Sequence, residues 1–542
     1  MMDYPLLLKS VLYRAITVFP EQEIAVRTAT GMKRYTYADM AKRAAKLAHA
    51  LKGLGVEVGD HVASFAWNNS RHLELYYGVP CSGRVLHTVN IRLSGEQIVY
   101  TINHAEDKVV FVDEDLVPLF VSIAPHLKTV QTYVILTDAL TVDVDLPNAI
   151  SYEALIQNES EQYAYPEFDE NTPAIIGYTS ATTGDPKGVV YSHRGLFLHC
   201  LTTMTGLVAV DERDVTMPVV PMFHVNAWGR PYTEMWAGAK VVLPGERPTA
   251  ADLADLIQNE KVTFSAGVPT IWMGVLNHVL ANRDRYDFSH VRYLLSGGAA
   301  MPLSLTKAYQ EELGVTLLQG YGQTETSPVT FLSIPKARHS KLAGDELYRI
   351  RTKTGLLVPG LEIKLVDGNG VEVPHDGETR GELLIRGPWV ISEYYKNPEA
   401  TKSAFVDGWF RSGDIATMDA DGYLQIVDRT KDLIKSGGEW ISSVDLENTL
   451  MSHPDVLEAA VIGIPDEKWQ ERPLACVVAR TESRSKVTED DLRNYLTERV
   501  AKFWVPDIFV FIDEVPKTSV GKFSKKTLRE WFQSGKLLGE RV

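Results

Sequence analysis

Cysteine is nearly absent from this sequence: Cys81, Cys200 and Cys476 are the three in a chain of 542 residues. They are widely separated and odd in number. No disulfide framework or CxxC metal spacing can be built from them, and a reducing compartment is expected. Each reads as a small buried hydrophobe. Long apolar runs are also missing, since none reaches the ~18 residues that suggest a membrane span. The N-terminal stretch has an apolar patch at Leu6–Leu8. It shows neither a basic leader region nor a small-residue cleavage site, so no signal peptide is expected. An excess of positive charge is absent too, with 55 Lys and Arg against 70 Asp and Glu and a formal net charge of −15. That balance argues against non-specific binding to nucleic acid or to an anionic membrane. A local basic cluster that meets a phosphate remains compatible with it.

What is present is ordinary for a soluble globular protein, 45% hydrophobic and 23% charged residues, and with the cysteine pattern and the missing leader a cytoplasmic protein is expected. The length exceeds one hydrophobic core, so two or more domains are expected. Thr36 can cap a helix, with Asp39 placed for a capping box and Met40, Ala44, Leu47, Ala48 and Leu51 at helical spacing up to Gly53 and Gly55. His61–Trp67 reads as a buried strand, Ser70–Val79 as a helix and Lys108–Val112 as a strand. This alternation predicts an α/β sheet with crossovers. Further strands are predicted at Lys240–Leu243, Val262–Ala266, Val291–Ser296 and Val315–Gln319. Helices are predicted at Arg194–Leu207 and Ala250–Asn259. Two of these strands run into Gly297-Gly298 and Gly320-Tyr-Gly-Gln-Thr-Glu325, which suits a ligand at the carboxyl edge of a sheet.

Residues 355–427 change character. Glycines punctuate short runs such as Glu362–Val366 and Glu382–Ile385, and a hairpin-rich β subdomain is predicted. Beyond Asp428-Arg-Thr-Lys-Asp432 the pattern becomes helix, strand, strand, helix, strand over about 110 residues, enough for a small α+β domain. The predicted division is therefore a large N-terminal domain, 1–428, and a small C-terminal domain, 429–542, with a boundary at 428–432.

The richest stretch is Tyr178-Thr-Ser-Ala-Thr-Thr-Gly-Asp-Pro-Lys-Gly188, directly after the strand-like run Pro173–Gly177. Thr179, Ser180, Thr182 and Thr183 supply hydroxyls, Gly184 and Gly188 free the backbone, and Lys187 adds a cation. Such a loop can present N–H groups, hydroxyls and charge to a polyphosphate. It is not a Walker loop, because Lys187 is followed by glycine. Taken alone, it reads more readily as a polar surface turn.

Five further motifs decide between these readings: Gly320–Glu325, Trp409-Phe-Arg-Ser-Gly-Asp414, Asp428–Asp432, Ser436-Gly-Gly-Glu-Trp-Ile-Ser442 and Pro516-Lys-Thr-Ser-Val-Gly-Lys522. With the loop they make six, in one order, and in this the chain resembles the adenylate-forming acyl-CoA synthetases. That superfamily also holds firefly luciferase and the adenylation domains of peptide synthetases. Residues 1–170 resemble it only in general pattern. The resemblance implies a ligase working in two steps. A carboxylate first attacks the α-phosphorus of ATP, giving an acyl-adenylate and pyrophosphate. The thiol of coenzyme A then attacks the acyl carbonyl and AMP leaves.

By the same resemblance, Thr179–Lys187 would bind the β- and γ-phosphates, and Tyr321 would stack on adenine. Gly297, Gly298 and Ala299 would let the backbone approach the base, with Gln319, Gly320 and Gly322 beside them. Thr324 would donate to the α-phosphate. Glu325, with Thr179, would hold Mg²⁺ through hard oxygen ligands. Asp414 would accept the ribose hydroxyls, reinforced by Arg429. Lys522 would offset charge between two anions during adenylation. Lys431 would be a hinge about which the small domain rotates, bringing Lys435, Gly437, Gly438 and Trp440 to coenzyme A.

His224, in Pro221-Met-Phe-His-Val-Asn-Ala-Trp228, would lie by the substrate carboxylate. Val225, Trp228 and Arg230 would line the acyl site, with Trp228 as gate of an apolar tunnel. This motif, Lys435–Glu447 and Glu467–Pro473 resemble the bacterial medium- and long-chain fatty acid–CoA ligases, which implies a homodimer. The alternative is a ligase for a short functionalised acid, such as methylthiopropionate, or for an aryl acid. A luciferase-like oxygenase and a non-catalytic binding protein are the rivals outside the class. Two residues depart from the pattern. Ala181 stands where the family has glycine. Arg230 sits in an apolar stretch and either snorkels to solvent or pairs with a polar substrate tail.

Overall fold

The computed structural model describes residues 1–179, 185–205, 209–437, 439–484, 486–518 and 521–537. Local chemistry sets the first long helix, Tyr37–Gly53. Thr36 Oγ1 accepts from the Asp39 amide while the Asp39 carboxylate accepts from the Thr36 amide, closing the predicted capping box. Removing such a cap costs about 1 kcal/mol. The stripe Met40, Ala44, Leu47, Ala48 and Leu51 is buried against the helix Ser70–Cys81. That second helix is buried along its whole length, including Glu74. A buried carboxylate must be paired, and Glu74 accepts from Arg43 Nε at 2.8 Å and Tyr152 Oη at 2.7 Å.

Two large sheets carry the N-terminal part. One has eight strands in the order 394–395, 188–192, 173–178, 85–88, 61–65, 109–113, 132–136 and 149–151. It is parallel from Pro173–Tyr178 through Ala149–Ser151 and antiparallel at the Gly188–Ser192 and Tyr394–Tyr395 edge. The other has nine strands, with Phe264–Gly267, Tyr293–Gly297 and Leu317–Gly322 side by side and parallel. Parallel strands buried on both faces read as continuous apolar runs, which is why Val109–Asp113 and Lys240–Leu243 were legible. Val215–Pro218 is a strand of the nine-stranded sheet. The chain then leaves the sheet towards His224.

The expected β subdomain is present as a five-stranded antiparallel sheet that includes Glu362–Val366, Gly381–Arg386, Trp409–Met418 and Leu424–Arg429. It is less self-contained than expected. Leu356–Leu357 joins the nine-stranded sheet, and Tyr394–Tyr395 pairs with Val189 and Gly188 in the eight-stranded one. The C-terminal part has its own sheet, built on the long antiparallel pair Val456–Asp466 and Gln470–Ala479. Helices Ser443–Met451, Glu489–Thr497 and Lys525–Gln533 accompany it. Its core groups Ile434, Leu446, Val461, Val477 and Leu492, separate from the cores of the larger part. No helix among the described residues is long and apolar enough to cross a membrane.

Candidate active site

A cavity of about 300 Å³ opens where both large sheets, the β subdomain and the C-terminal domain meet. Its wall is made by the ends of strands. Thr179 follows Pro173–Tyr178, Gly297 and Gly298 end one strand, and Gly320, Tyr321 and Gly322 end the next. Backbone crowding explains two of the glycines. A Cβ on Gly322 would fall 1.4 Å from the Pro328 carbonyl oxygen, and one on Gly297 would fall 2.8 Å from both the Gly320 carbonyl oxygen and Trp228 Cη2. Gly298 has φ +83°, which costs an L-residue strain.

At one end Asp414 is buried and fully engaged. Its carboxylate accepts from Tyr321 Oη and from Gln323 Nε2 at 2.7 Å, and it pairs with Arg429 Nε at 3.0 Å. The carboxylate holds the Arg429 guanidinium above its ordinary pKa, against the opposing effect of burial. Burial pushes the Tyr321 phenol well up as well. Gln323 also donates to the Ser412 carbonyl at 2.9 Å. Gln319 lies behind the wall and donates to the Ala299 carbonyl at 3.1 Å, tying the turn at Ala299 to the neighbouring strand.

Beside this network Thr324 and Glu325 face the cavity, and the segment that carries them is pinned three times. Tyr191 Oη donates to the Thr324 carbonyl at 2.9 Å, the Ile391 amide donates to the Glu325 carbonyl at 3.0 Å, and Tyr394 Oη donates to Glu325 Oε1 at 2.7 Å. Lys187 Nζ sits 4.7 Å over the ring of Tyr394. One tyrosine thus meets both the lysine of the Tyr178–Gly188 stretch and the carboxylate of the Gly320–Glu325 motif. Thr179 Oγ1 accepts from the Lys187 amide at 3.2 Å, closing the base of that loop. Ser180, Ala181, Thr182, Thr183, Gly184 and Gly438 lie outside the described residues.

Lys522 comes from the C-terminal domain and enters the same wall. A Cβ on Gly298 would lie 3.2 Å from Lys522 Cε and 3.8 Å from its Nζ. The turn that delivers it is closed by Thr518, whose amide donates to the Lys522 carbonyl at 2.7 Å and whose Oγ1 accepts from the Lys522 amide at 3.2 Å. The neighbouring lysines are tied to carboxylates: Lys517 to Glu458, Lys525 to Glu447 and Lys526 to Glu530. Among the described residues Lys522 has no such partner. Burial, then repulsion from Arg429, lowers its pKa to about 8. His224 lines the cavity too, and burial, with Lys522 and Arg92 nearby, pushes its pKa down to about 3, so the imidazole is neutral.

Val225, Trp228, Leu295, Pro328, Val329 and Leu332 supply the apolar part of the cavity lining. Its backbone is unusual. Val225, Asn226, Ala227 and Trp228 have φ of +46°, +52°, +45° and +58°, and Gly229 follows at +75°. Left-handed backbone costs roughly 1–2 kcal/mol per L-residue, so this turn stores several. Arg230 does not snorkel. It is 4% exposed, its Nε donates to Glu234 Oε1 at 2.9 Å, and its guanidinium lies 4.5 Å over the Phe264 ring. A polar partner on the next helical turn kept it inside, which a list of apolar neighbours did not reveal. Arg230 Nη2, Glu234 Oε2, both ring nitrogens of His199 and both amide atoms of Asn226 are buried without a hydrogen-bond partner among the described residues.

Not every expected residue gathers here. Lys435, Gly437 and Trp440 sit on the exposed hairpin of Ile434–Ser436 and Glu439–Ile441, with Lys435 Nζ 4.7 Å over the Trp440 ring, and they do not line the cavity. Lys431 is likewise exposed, just before that hairpin. Gln323, Tyr394, Glu234 and His199 were not anticipated. Gln323 could have been found, since it stands inside the Gly320–Glu325 motif. Tyr394 carried no local signal, because only sheet pairing brings it to Glu325.

Chemically, the cavity offers hard oxygen donors, cations and a neutral imidazole around one space, a fit for a phosphate ester and an organic acid. The model of the AMP-binding enzyme family matches residues 12–395, and that of its C-terminal domain matches residues 445–522. The chain is 47% identical to a long-chain-fatty-acid–CoA ligase of Thermus thermophilus, covering 98% of this chain and 97% of that one. It is 41% identical to a medium-chain-fatty-acid–CoA ligase of Ectopseudomonas oleovorans (98% and 96% covered) and 42% identical to a 3-methylmercaptopropionyl-CoA ligase of Ruegeria lacuscaerulensis (98% of each). Among solved structures, an anthranilate CoA ligase in complex with anthranoyl-AMP superposes with a TM-score of 0.89 at 27% identity, covering 98% of this chain and 99% of that one. MatB of Rhodopseudomonas palustris superposes with 0.83 when ATP-bound (27% identical) and 0.73 when apo (26% identical), each covering 97% of this chain and 99% of that one. Family match, full-length relatives and the shared two-part architecture agree, and the chain belongs to the AMP-binding enzymes as an acyl-CoA synthetase of the adenylate-forming class.

Proposed function

We propose that the acid activated is a medium- to long-chain fatty acid, and that the cavity is where its carboxylate is joined to AMP. The observation that supports this most is the meeting of Lys522 with His224, Thr324, Glu325, Arg429 and two strand-end glycines around one space. Asp414 and Arg429 hold the ribose, Tyr321 the base, and Gly297, Gly298, Gly320 and Gly322 the close backbone approach. Thr179–Lys187 clamps the leaving pyrophosphate. Thr324 and the Lys522 ammonium stabilise charge at the α-phosphate, where the attacking carboxylate and the phosphate would otherwise repel. His224, being neutral, orients the carboxylate rather than holding it as an ion pair. Val225 and Trp228 border the acyl chain. Glu325 and Thr179 offer the hard oxygens that would hold Mg²⁺, whose charge, when bound, neutralises the phosphate oxygens. The remaining work is positioning and exclusion of water from a mixed anhydride.

The hinge reading follows from the position of the exposed hairpin. With Lys522 in the cavity, Lys435, Gly437 and Trp440 are not part of its lining. Rotation of residues 429–542 about Lys431 would exchange them for the thiol-transfer step. A homodimer is favoured by the resemblance, and a reducing cytoplasmic setting by three unpaired, buried cysteines.

A second reading, a short thioether acid, is favoured by the Ruegeria relative and by the buried Arg230–Glu234 pair close to the acyl end. Carboxylic acids from C3 to C18 and aryl acids, assayed by pyrophosphate release and CoA consumption, separate the two. The fatty-acid reading expects a maximum at C8 or longer, and a maximum at C3–C4 or at aryl acids overturns it.

A further inference from the structure

Resting on the reading of Thr179–Lys187 as the pyrophosphate clamp, we propose that His104 is a positioning residue for it. His104 locks the strand that enters the clamp to the two-residue strand that carries Tyr394 to Glu325 and Lys187.

The first observation is a three-strand contact at the foot of the clamp. Tyr178 pairs with Gly188, and Gly188 pairs with Tyr395, so the two ends of the stretch and a distant tyrosine sit in one row. Gly188 is the residue that lets them meet. A Cβ there would fall 3.0 Å from Tyr395 Cβ and 3.4 Å from the Tyr178 ring. Residues paired directly across strands share a face of the sheet. On that face stands His104, in the last turn of the helix Gly95–Ala105. Its Nδ1 shares a hydrogen bond with Tyr178 Oη at 2.8 Å. Its ring meets Tyr178 and Tyr395 edge-on, with centroids 5.8 and 5.5 Å apart, and stacks on Tyr100 at 5.3 Å. Lys396 fastens the same place, since its Nζ donates to the His104 carbonyl at 3.4 Å and pairs with Glu106 at 2.9 Å. Burial, then Lys396, lowers the His104 pKa, so the uncharged ring prevails at neutral pH.

The second observation is what hangs from this row. Successive strand residues face opposite ways. With Tyr395 held by His104, Tyr394 is turned to the other face, where its Oη reaches Glu325 and its ring lies under Lys187 Nζ. Directly beyond Tyr178, the Thr179 amide donates to the Lys187 carbonyl at 3.0 Å. His104 itself is not part of the cavity lining. It acts through Tyr178 and Tyr395, by fixing the clamp relative to the Glu325 carboxylate. Groups set in place beforehand need no reorganisation when charge develops on the phosphates.

The test measures the KM for ATP and for the acid by pyrophosphate release, and pyrophosphate binding by calorimetry, in the full-length chain. His104→Gln is expected to raise the KM for ATP about threefold to tenfold, the scale of one lost hydrogen bond. Pyrophosphate binding should weaken alongside, with the acid KM unmoved. His104→Asn puts its amide where Nδ1 stood and should restore most of the loss, whereas the Gln amide reaches the place of Nε2. Tyr178→Phe removes only the hydroxyl and should match His104→Gln. Combining the two should add nothing, since both break one contact. Tyr178→Phe carries the test alone if His104→Gln does not fold. An unmoved KM for ATP, equal losses with Asn and Gln, an acid KM that rises with that for ATP, or additive losses overturn the role of His104. Lys187→Met is the control on the clamp. If neither the KM for ATP nor pyrophosphate binding changes there, the clamp reading falls and the positioning role falls with it.

Discussion

The two ends of the cavity are built on different terms. On the side of Asp414 and Glu325, where we propose the nucleotide binds, each carboxylate is met by donors: Asp414 by Tyr321, Gln323 and Arg429, and Glu325 by Tyr394. Beside Val225 and Trp228 the backbone is left-handed across Val225–Gly229, and behind the lining lie buried polar atoms of Asn226, Arg230 and His199 without a hydrogen-bond partner among the described residues. A ligand that never changes rewards groups fixed in advance, because nothing must reorganise when it binds. A ligand that differs between relatives needs a wall that can be re-cut.

The comparison can be broken most severely at Lys522. Lys522→Ala is expected to slow adenylate formation about 10²–10³-fold, the usual cost of removing one transition-state donor. Thioester formation from preformed acyl-adenylate should survive, and equal loss in both half-reactions would argue against exchange of the two faces of the C-terminal domain. Next in size, Asp414→Asn should raise the KM for ATP roughly 30-fold by weakening a charged hydrogen-bond network. Its effect on discrimination among acids should be small, and a changed acid profile would erase the distinction between the two ends.

A gentler probe is pH. Lys522 is charged below its pKa of about 8 and neutral above it. The kcat/KM for ATP in the adenylation step, which reports the free enzyme, should therefore be level below about pH 8 and fall roughly tenfold per unit above it. A profile level to pH 10 would deny Lys522 its role. The smallest effect is expected from Tyr394→Phe, which keeps the ring under Lys187 but removes the donor to Glu325. Half-saturating Mg²⁺ in calorimetric titration of ATP binding should rise by about threefold to tenfold, with stability little changed. An unmoved Mg²⁺ midpoint would make Tyr394 a packing residue.

Much of the frame was legible. The capping box at Thr36, the apolar strands and the Gly-rich strand ends report local constraints that act within a few residues. The motif residues Asp414, Thr324, Glu325 and Lys522 were legible through their order along the chain. The rest depended on distance in sequence. Tyr394 lies 69 positions from Glu325, and nothing in Glu393-Tyr-Tyr-Lys marks it. It reaches the site because a two-residue strand adds to the edge beside Gly188–Ser192. Arg230 was ambiguous because a lone arginine in apolar sequence has two stable solutions, and its helical partner Glu234 settled which.

By itself, then, the sequence determined the α/β class, the separate C-terminal domain and the ordered motifs whose residues Thr324, Glu325, Arg429 and Lys522 line one cavity, since periodicity, caps and turn glycines are local and the motifs are ordered. Only the tertiary structure decided which face of the C-terminal domain meets the cavity, that Tyr394 joins Lys187 to Glu325, and that Arg230 is buried with orphaned polar atoms behind Trp228. Those outcomes are set by packing between segments far apart in the chain, where burial and the need to pair each polar group override what any single stretch prefers.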